Sequence, residues 1–226
     1  AIATAKANTE KNLQNARALF ESHLDSIFTE RETSWIDRRL GDVAEVRSGG
    51  TPSTAKKEYW GGSIPWYSSG ELNNLLTSDS EKFVTQAGLD ESNAKLFPKG
   101  SLLIGMYDTA ALKMSILDRN AAFNQAIAGV VPNQNIDLEF ILYSISAVKP
   151  KLLLERRGVR QKNLSLGKIQ DITIRVPTLI EQREIVSRVQ AISAQTKTLE
   201  EIYNQKLLAI IELKKSLLHQ ALSGQL

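Results

Sequence analysis

Between Leu179 and Leu222 the chain carries no proline and no glycine, and its apolar residues recur at alternating steps of four and three. Ile185, Val189, Ile192, Leu199, Tyr203, Ile210, Leu213 and Leu217 fall on one stripe, interrupted by Thr196 and Lys206. A heptad-like stripe is the pattern of a helix that packs lengthwise against another helix. At a rise of about 1.5 Å per residue, some forty residues make a rod of roughly 60 Å, longer than a compact domain of this size needs. The opening of the chain behaves alike. It is rich in Ala, Asn and Lys, lacks Gly and Pro, and sets Leu13, Ala16, Phe20, Leu24 and Ile27 on one helical face, with Thr33-Ser34 breaking the pattern before Trp35. Leu207, Ile211, Leu218 and Leu222 form a second apolar stripe beside the long one. That is wider than one partner helix needs, so these four residues are expected to bind a protein partner.

Residues 35–178 have another texture, with all 6 prolines and two glycine pairs, Gly49-Gly50 and Gly61-Gly62, that read as turns. Short apolar runs at residues 101–106, 126–131 and 172–176 read as strands. Residues 137–154 read as a helix with Phe140, Ile141, Ile145 and Val148 inward, and Pro150 is expected to kink or split it. The predicted fold class is α+β: a mixed α/β globular domain (residues 35–178) flanked by two long antiparallel coiled-coil helices (residues 1–34 and 179–226). Two helices that leave one domain and pair by their stripes must run antiparallel, as a stalk carrying a head. The first is the shorter, so roughly 15–20 Å of the second is expected to lack a local partner, a length that a symmetric second copy would cover.

Composition narrows the function classes. The 226 residues contain no cysteine, which excludes disulfides and thiolate metal sites and fits a cytoplasmic protein. The longest uncharged apolar runs are too short to cross a bilayer, and no signal-peptide pattern is present. The chain opens on Ala1, already in helical sequence, as expected of a fragment or a processed chain. No phosphate-binding glycine loop is found, and the two histidines, His23 and His219, lie on predicted helices where a structural role is the ordinary one. Asp108 and Asp118, ten residues apart, make no acid–base pair by spacing alone. Neither a catalytic residue nor a cofactor nor a metal is expected.

What the sequence does offer is a binding surface. The formal charge is only +3, but residues 151–175 hold Lys151, Arg156, Arg157, Arg160, Lys162, Lys168 and Arg175 against Glu155 and Asp171. A local basic patch of this kind can hold a phosphate backbone, and it can equally be solvated surface. Two loops combine charge with amides and hydroxyls. The first runs Arg47, Ser48, Gly49, Gly50, Thr51, Pro52, Ser53 and on to Lys56 and Lys57, ahead of Trp60 and Trp66-Tyr67. The second is Arg156, Arg157, Gly158, Val159, Arg160, Gln161, Lys162 and Asn163. Arginine, small hydroxyls and backbone amides suit phosphate, and Asn, Gln and Arg suit base edges. The tryptophans are expected in the core. Tyr67, Tyr107 and Lys113 complete the candidate DNA contacts.

These residues carry a family resemblance. Leu40-Gly41-Asp42-Val43, Gly49-Gly50-Thr51-Pro52-Ser53 and Ile64-Pro65-Trp66 resemble the opening of a target-recognition domain from the specificity subunit of Type I restriction-modification enzymes. Residues 100–107, Asn124-Gln125-Ala126-Ile127, Gln161-Lys162-Asn163-Leu164-Ser165 and Pro177-Thr178-Leu179-Ile180-Glu181-Gln182 follow in the family's order, and residues 211–226 resemble its usual end. Residues 15–22 resemble the helix that precedes a second recognition domain. One departure stands out: where the family often has Gly after Met-Tyr and a Gly-Lys soon after, this chain has Asp108 and Leu112-Lys113. The resemblance implies a non-catalytic subunit, or the carboxy-terminal half of one, that reads half of a bipartite site in double-stranded DNA. It also implies docking of methyltransferase subunits on the helices, restriction subunits reached through the complex, and pairing with a second copy or another half-subunit. A rival reading of the same features is a coiled-coil adaptor whose head binds protein. A third, a stand-alone nuclease or methyltransferase, requires motifs that the chain lacks.

Overall fold

The computed structural model describes residues 2–29, 34–157 and 163–223. In chain order its helices are α1 (Ile2–Thr29), α2 (Leu40–Val43), α3 (Gln86–Asp90), α4 (Leu138–Arg157), α5 (Leu166–Gln170) and α6 (Leu179–Leu222). Its strands are β1 (Ile36–Arg39), β2 (Ala44–Ser48), β3 (Trp60–Tyr67), β4 (Lys82–Val84), β5 (Leu102–Gly105), β6 (Met114–Ile116), β7 (Ala122–Phe123), β8 (Ile127–Pro132) and β9 (Thr173–Val176). They form two compact units, residues 1–30 with 184–226, and residues 31–183.

In the helical unit α1 runs antiparallel to α6. Arg17 Nε lies 2.8 Å from Glu200 Oε1, and residues 2–10 share a groove with residues 210–218. The expected face of α1 is turned inward, with Ala16 and Leu24 buried and Leu13, Phe20 and Ile27 half-buried. Thr9 joins it at 1% exposure, its hydroxyl donating to Ala5 O at 2.8 Å, which removes the cost of burying a polar group.

The stripe of α6 needs one correction. Val189, Thr196, Tyr203, Ile210 and Leu217 form one shielded row, as read from the sequence. The second row begins with Ile185 and Ile192 as expected, but from Thr196 and Tyr203 it continues four residues on, through Glu200 and Leu207, and not three. Leu199 and Leu213 are therefore exposed, at 40% and 53%. A step of one residue rotates a helical side chain by about 100°, enough to move it from seam to solvent. Leu207, assigned above to partner binding, is half-buried in the seam, while Ile211, Leu218 and Leu222 remain exposed. The overhang is also shorter than expected. α1 faces α6 as far as Leu218, and the first turn of α6 is bound inside the globular unit.

Among its described residues the globular unit holds three sheets. β2-β8-β5-β6 is antiparallel throughout, β4-β3-β7 is mixed, and β1-β9 is an antiparallel pair. Its strands are largely apolar, and Leu102, Leu103, Ile104, Ile127 and Val130 are fully buried. Two sequence expectations change. Gly61-Gly62 lies inside β3, where the register against Val84 slips between Trp60 and Ile64, so the pair is a bulge and not a turn. Gly61 takes φ 79°, which a side chain would resist. Pro150 does not split α4, which continues as one helix to Arg157. Phe140, Ile141 and Ile145 are fully buried on that helix, and packing of this strength outweighs one missing backbone hydrogen bond.

The globular unit ends on a tightly held helix start. Thr178 and Glu181 form a reciprocal cap, the Glu181 carboxylate accepting from the Thr178 N–H at 3.0 Å and from its hydroxyl at 2.7 Å. Those bonds hold the Glu181 carboxyl below its ordinary range. Gln182, fully buried, donates to Asn135 O at 3.2 Å and Pro177 O at 3.0 Å and accepts from the Asp137 N–H at 2.8 Å. Replacing Gln182 with Leu keeps the volume and strips all three bonds, so it should cost about 2–3 kcal/mol. Urea denaturation measures this, and a loss below about 0.5 kcal/mol would show that the anchor carries little weight.

Candidate nucleic-acid interface

Because neighbours in the four-stranded sheet alternate in direction, the C-terminal ends of β2 and β5 share one edge with the N-terminal ends of β8 and β6. Residues 48–53 leave β2 there, Tyr107 and Lys113 lie in the β5–β6 connection, and Asn124-Gln125 leads into β8. β3 finishes at the same place, since the Asn124 N–H donates to Tyr67 O at 2.9 Å. The segment before α5 joins through the Leu164 N–H, 2.9 Å from Met106 O, which brings exposed Asn163 beside it. Segments far apart in sequence thus meet on one rim. Arg156 and Arg157 close α4, and Arg160, Gln161 and Lys162 lie outside the described residues.

The glycine loop is stitched into the sheet. The Gly49 N–H donates to Ile127 O at 3.1 Å, the Gly50 N–H to Phe123 O at 2.9 Å, and Trp66 Nε1 donates to Gly50 O at 3.0 Å. A Cβ on Gly49 would stand 2.1 Å from Phe123 O, so only glycine fits this close approach. Gly49 is consequently not the phosphate-binding amide expected from the sequence: its donor is buried and engaged. Beyond it Thr51 and Ser53 are exposed, and Thr51 Oγ1 donates to Gln125 Oε1 at 2.5 Å. Ser48 is half-buried. Trp66 is core, and Trp60 meets it edge-on with ring centres 5.1 Å apart.

The charged candidates divide. Arg47 stands over the Phe97 ring, 5.6 Å from its centre, with Nε 2.9 Å from Glu45 Oε1. Lys56 donates to the Tyr59 hydroxyl, which in turn donates to Glu91 Oε2 at 2.6 Å, with Lys56 Nζ 3.6 Å from the same carboxylate. The Tyr59 hydroxyl chiefly holds Glu91 below and Lys56 above their ordinary ranges. The Lys56 charge is therefore balanced internally. Lys57 is exposed and shares a shallow groove with Trp60, Lys82 and Phe83. Tyr67 must be withdrawn as a contact. It is 1% exposed in the cluster of Phe97 and Phe123, its hydroxyl donates to Ser78 O at 2.7 Å, and burial raises its phenol.

Lys113 and Tyr107 are half-buried, and Lys113 Nζ donates to Asn73 Oδ1 at 3.0 Å. Asn73 and Gln125 were not among the sequence candidates, although an amide next to a predicted turn is a signal that could have raised them. Leu112, where the family resemblance breaks down, sits at φ 56° and is fully buried. Among the described residues no cluster of three or more His, Asp or Glu is placed to hold a metal ion, and no helix is long and apolar enough to cross a membrane.

A family model described as the Type I restriction modification DNA specificity domain matches residues 32–208. The specificity subunit of the Type I restriction enzyme EcoR124I/EcoR124II from Escherichia coli is 28% identical over 210 residues, covering 88% of this chain and 50% of that protein. The MjaIX specificity subunit from Methanocaldococcus jannaschii is 27% identical over 158 residues, covering 68% of this chain and 36% of that one. Among solved structures, a chain of a type I R-M system aligns with TM-score 0.85 at 17% identity, covering 97% of this chain and 55% of that chain. The HsdS subunit from Thermoanaerobacter tengcongensis aligns with TM-score 0.73 at 17% identity, covering 100% and 55%. The chain spans about half the length of the E. coli subunit and of both solved chains.

Leu112 yields a test of the rim's backbone. Leu112→Ala removes the buried side chain and keeps the left-handed conformation, whereas Leu112→Gly removes both the side chain and the strain. The Gly variant should be the more stable of the two by about 1 kcal/mol, the reverse of the usual order. Thermal unfolding of the pair decides it, and an Ala variant at least as stable as Gly would mean that residue 112 is unstrained.

Proposed function

The chain belongs to the family of Type I restriction modification DNA specificity domains, and on that premise we propose that it is a non-catalytic reader of double-stranded DNA. It recognises one half of a bipartite site, and methylation and cleavage belong to partner subunits. One observation carries this reading: the exposed polar side chains of the loops after β2, before β8 and before α5 converge on a single sheet edge. An edge bearing Thr51, Ser53, Gln125 and Asn163 offers donors and acceptors for base edges and phosphates, set on a rigid sheet. The basic residues Arg156 and Arg157, which close α4, and Arg160 precede Asn163 by a few residues and supply the phosphate contacts. Methyltransferase subunits dock on the exposed apolar residues of α6, and a second half-subunit or a second copy of this chain supplies the other half-site.

Duplex binding should weaken steeply with salt, and the combined change Arg156→Ala, Arg157→Ala and Arg160→Ala should flatten the slope by up to about three units. Titrations at several salt concentrations read this directly. A protein without affinity for duplex would favour the adaptor reading.

The seam of α6 makes the docking claim separable from folding. Ile211→Lys with Leu218→Lys should abolish association with the methyltransferase subunit at a smaller cost to the unfolding midpoint than Leu207→Lys, since both border the groove with α1 but are 39% or more exposed. Leu207→Lys should instead destabilise the helix pair by about 2–3 kcal/mol. Unimpaired assembly of the double variant would place the interface elsewhere.

A further inference from the structure

Residues 73–76, Asn-Asn-Leu-Leu, run alongside the edge strand β6 and border the rim described above. Each is fixed. Asn73 Nδ2 donates to Gly70 O at 2.8 Å, and its Oδ1 accepts from Lys113 Nζ. Ser115 Oγ donates to Asn74 O at 2.6 Å, and the Ile116 N–H donates to Leu75 O at 2.7 Å. Leu76 bridges Ile116 in parallel, and the Thr77 N–H donates to Ile116 O at 3.0 Å. Thr77 is buried and its hydroxyl donates to Asp118 Oδ1 at 2.9 Å, closing the segment from the far side.

Held this way by its backbone, the segment keeps its apolar side chains at the surface, with Leu75 46% and Leu76 55% exposed. The chain bends at Asn74 and Leu75 before Leu76 bridges Ile116. A lid over a core would bury one of the two. Both remain about half exposed, so the pair forms an apolar ridge on the surface. Beside the ridge are the exposed Asn74 and the Lys113 ammonium. An apolar ridge flanked by an amide and a cation, at the border of a polar rim, matches the chemistry of a stacked base step. Apolar wedges open such steps, amides read base edges, and cations take the adjoining phosphate.

We propose that Leu75 and Leu76 form a wedge that enters a base step of the bound duplex and bends it, with Asn74 reading the opened step and Lys113 on the flanking phosphate. The inference rests on the DNA-reading role proposed above. It makes part of the specificity depend on how easily the sequence deforms at that step and not on base contacts alone.

The test uses the full chain and a duplex that it selects from a randomised pool, carrying 2-aminopurine at successive positions. The wild-type protein should brighten the probe at one step and bend the DNA. Leu75→Ala with Leu76→Ala should abolish the brightening and weaken binding about tenfold, with the unfolding midpoint unchanged because the leucines are exposed. Leu75→Met with Leu76→Met should restore both. A selected duplex that stays dark, bound equally by wild type and the Ala variant, overturns the wedge alone. Intact DNA binding with lost capture of the methyltransferase subunit overturns it in favour of a protein contact. Failure of the wild type to select any duplex removes the DNA reading and the wedge together.

Discussion

Three backbone groups end on the side chain of Gln182. Its amide nitrogen holds the carbonyls of Asn135 and Pro177, and its oxygen holds the N–H of Asp137. Asp137 in turn caps α4, its carboxylate accepting from the Phe140 N–H at 3.0 Å. The entry of α4, the exit of β9 and the first turn of α6 are thus locked by a single uncharged residue with no exposed surface. A charged group could not do this without a partner, and an apolar one would leave three backbone groups without bonds. With α4 set, Phe140, Ile141 and Ile145 are fixed in the core, and Trp35 meets Phe140 edge-on at 6.4 Å.

Charge on this surface is arranged in small closed groups, and that limits what the net balance can say. Arg39 is bonded to Asp42 and Asp171, at 3.2 Å and 3.0 Å, and Arg119 lies 2.7 Å from Asp118 and 3.1 Å from Asp79. The Arg119 guanidinium holds the Asp118 carboxyl below its ordinary range. Exposed pairs of this kind add little stability. Their effect is to remove cations from the set available to a polyanion, so a count of basic residues overstates the number that a phosphate meets.

What was legible in the sequence follows from range. The ends of α6 and the inward faces of α1 and α4 depend on spacing within one helix, and spacing is local. The second row of the α6 seam was misplaced because alternate steps of three and four fit two registers equally. The choice falls to the neighbour, here Arg17 meeting Glu200. The cap at Thr178-x-x-Glu181 was legible as a pattern and passed unread among the family motifs. Tyr67 and Gly49 were misread for a different reason. Their residue types suit a binding loop, but sheet partners distant in sequence, Phe123 and Ile127, had already claimed them. Polar type at a turn indicates a contact only when the backbone around it is not needed elsewhere.

The glycine loop at the rim shows what that need achieves. The Gly49 and Gly50 amides bond across to Phe123 and Ile127, so the loop is shaped by backbone and not by the side chains of Thr51 and Ser53. The same holds for Asn74, whose carbonyl is anchored and whose side chain is exposed. Substitutions at Ser53 and Asn74 leave the backbone bonds that shape these segments untouched, and at Thr51 they remove only the hydroxyl's bond to Gln125. The surface is therefore a page that mutation can rewrite one letter at a time, and new specificities can arise on this scaffold without passing through misfolded intermediates.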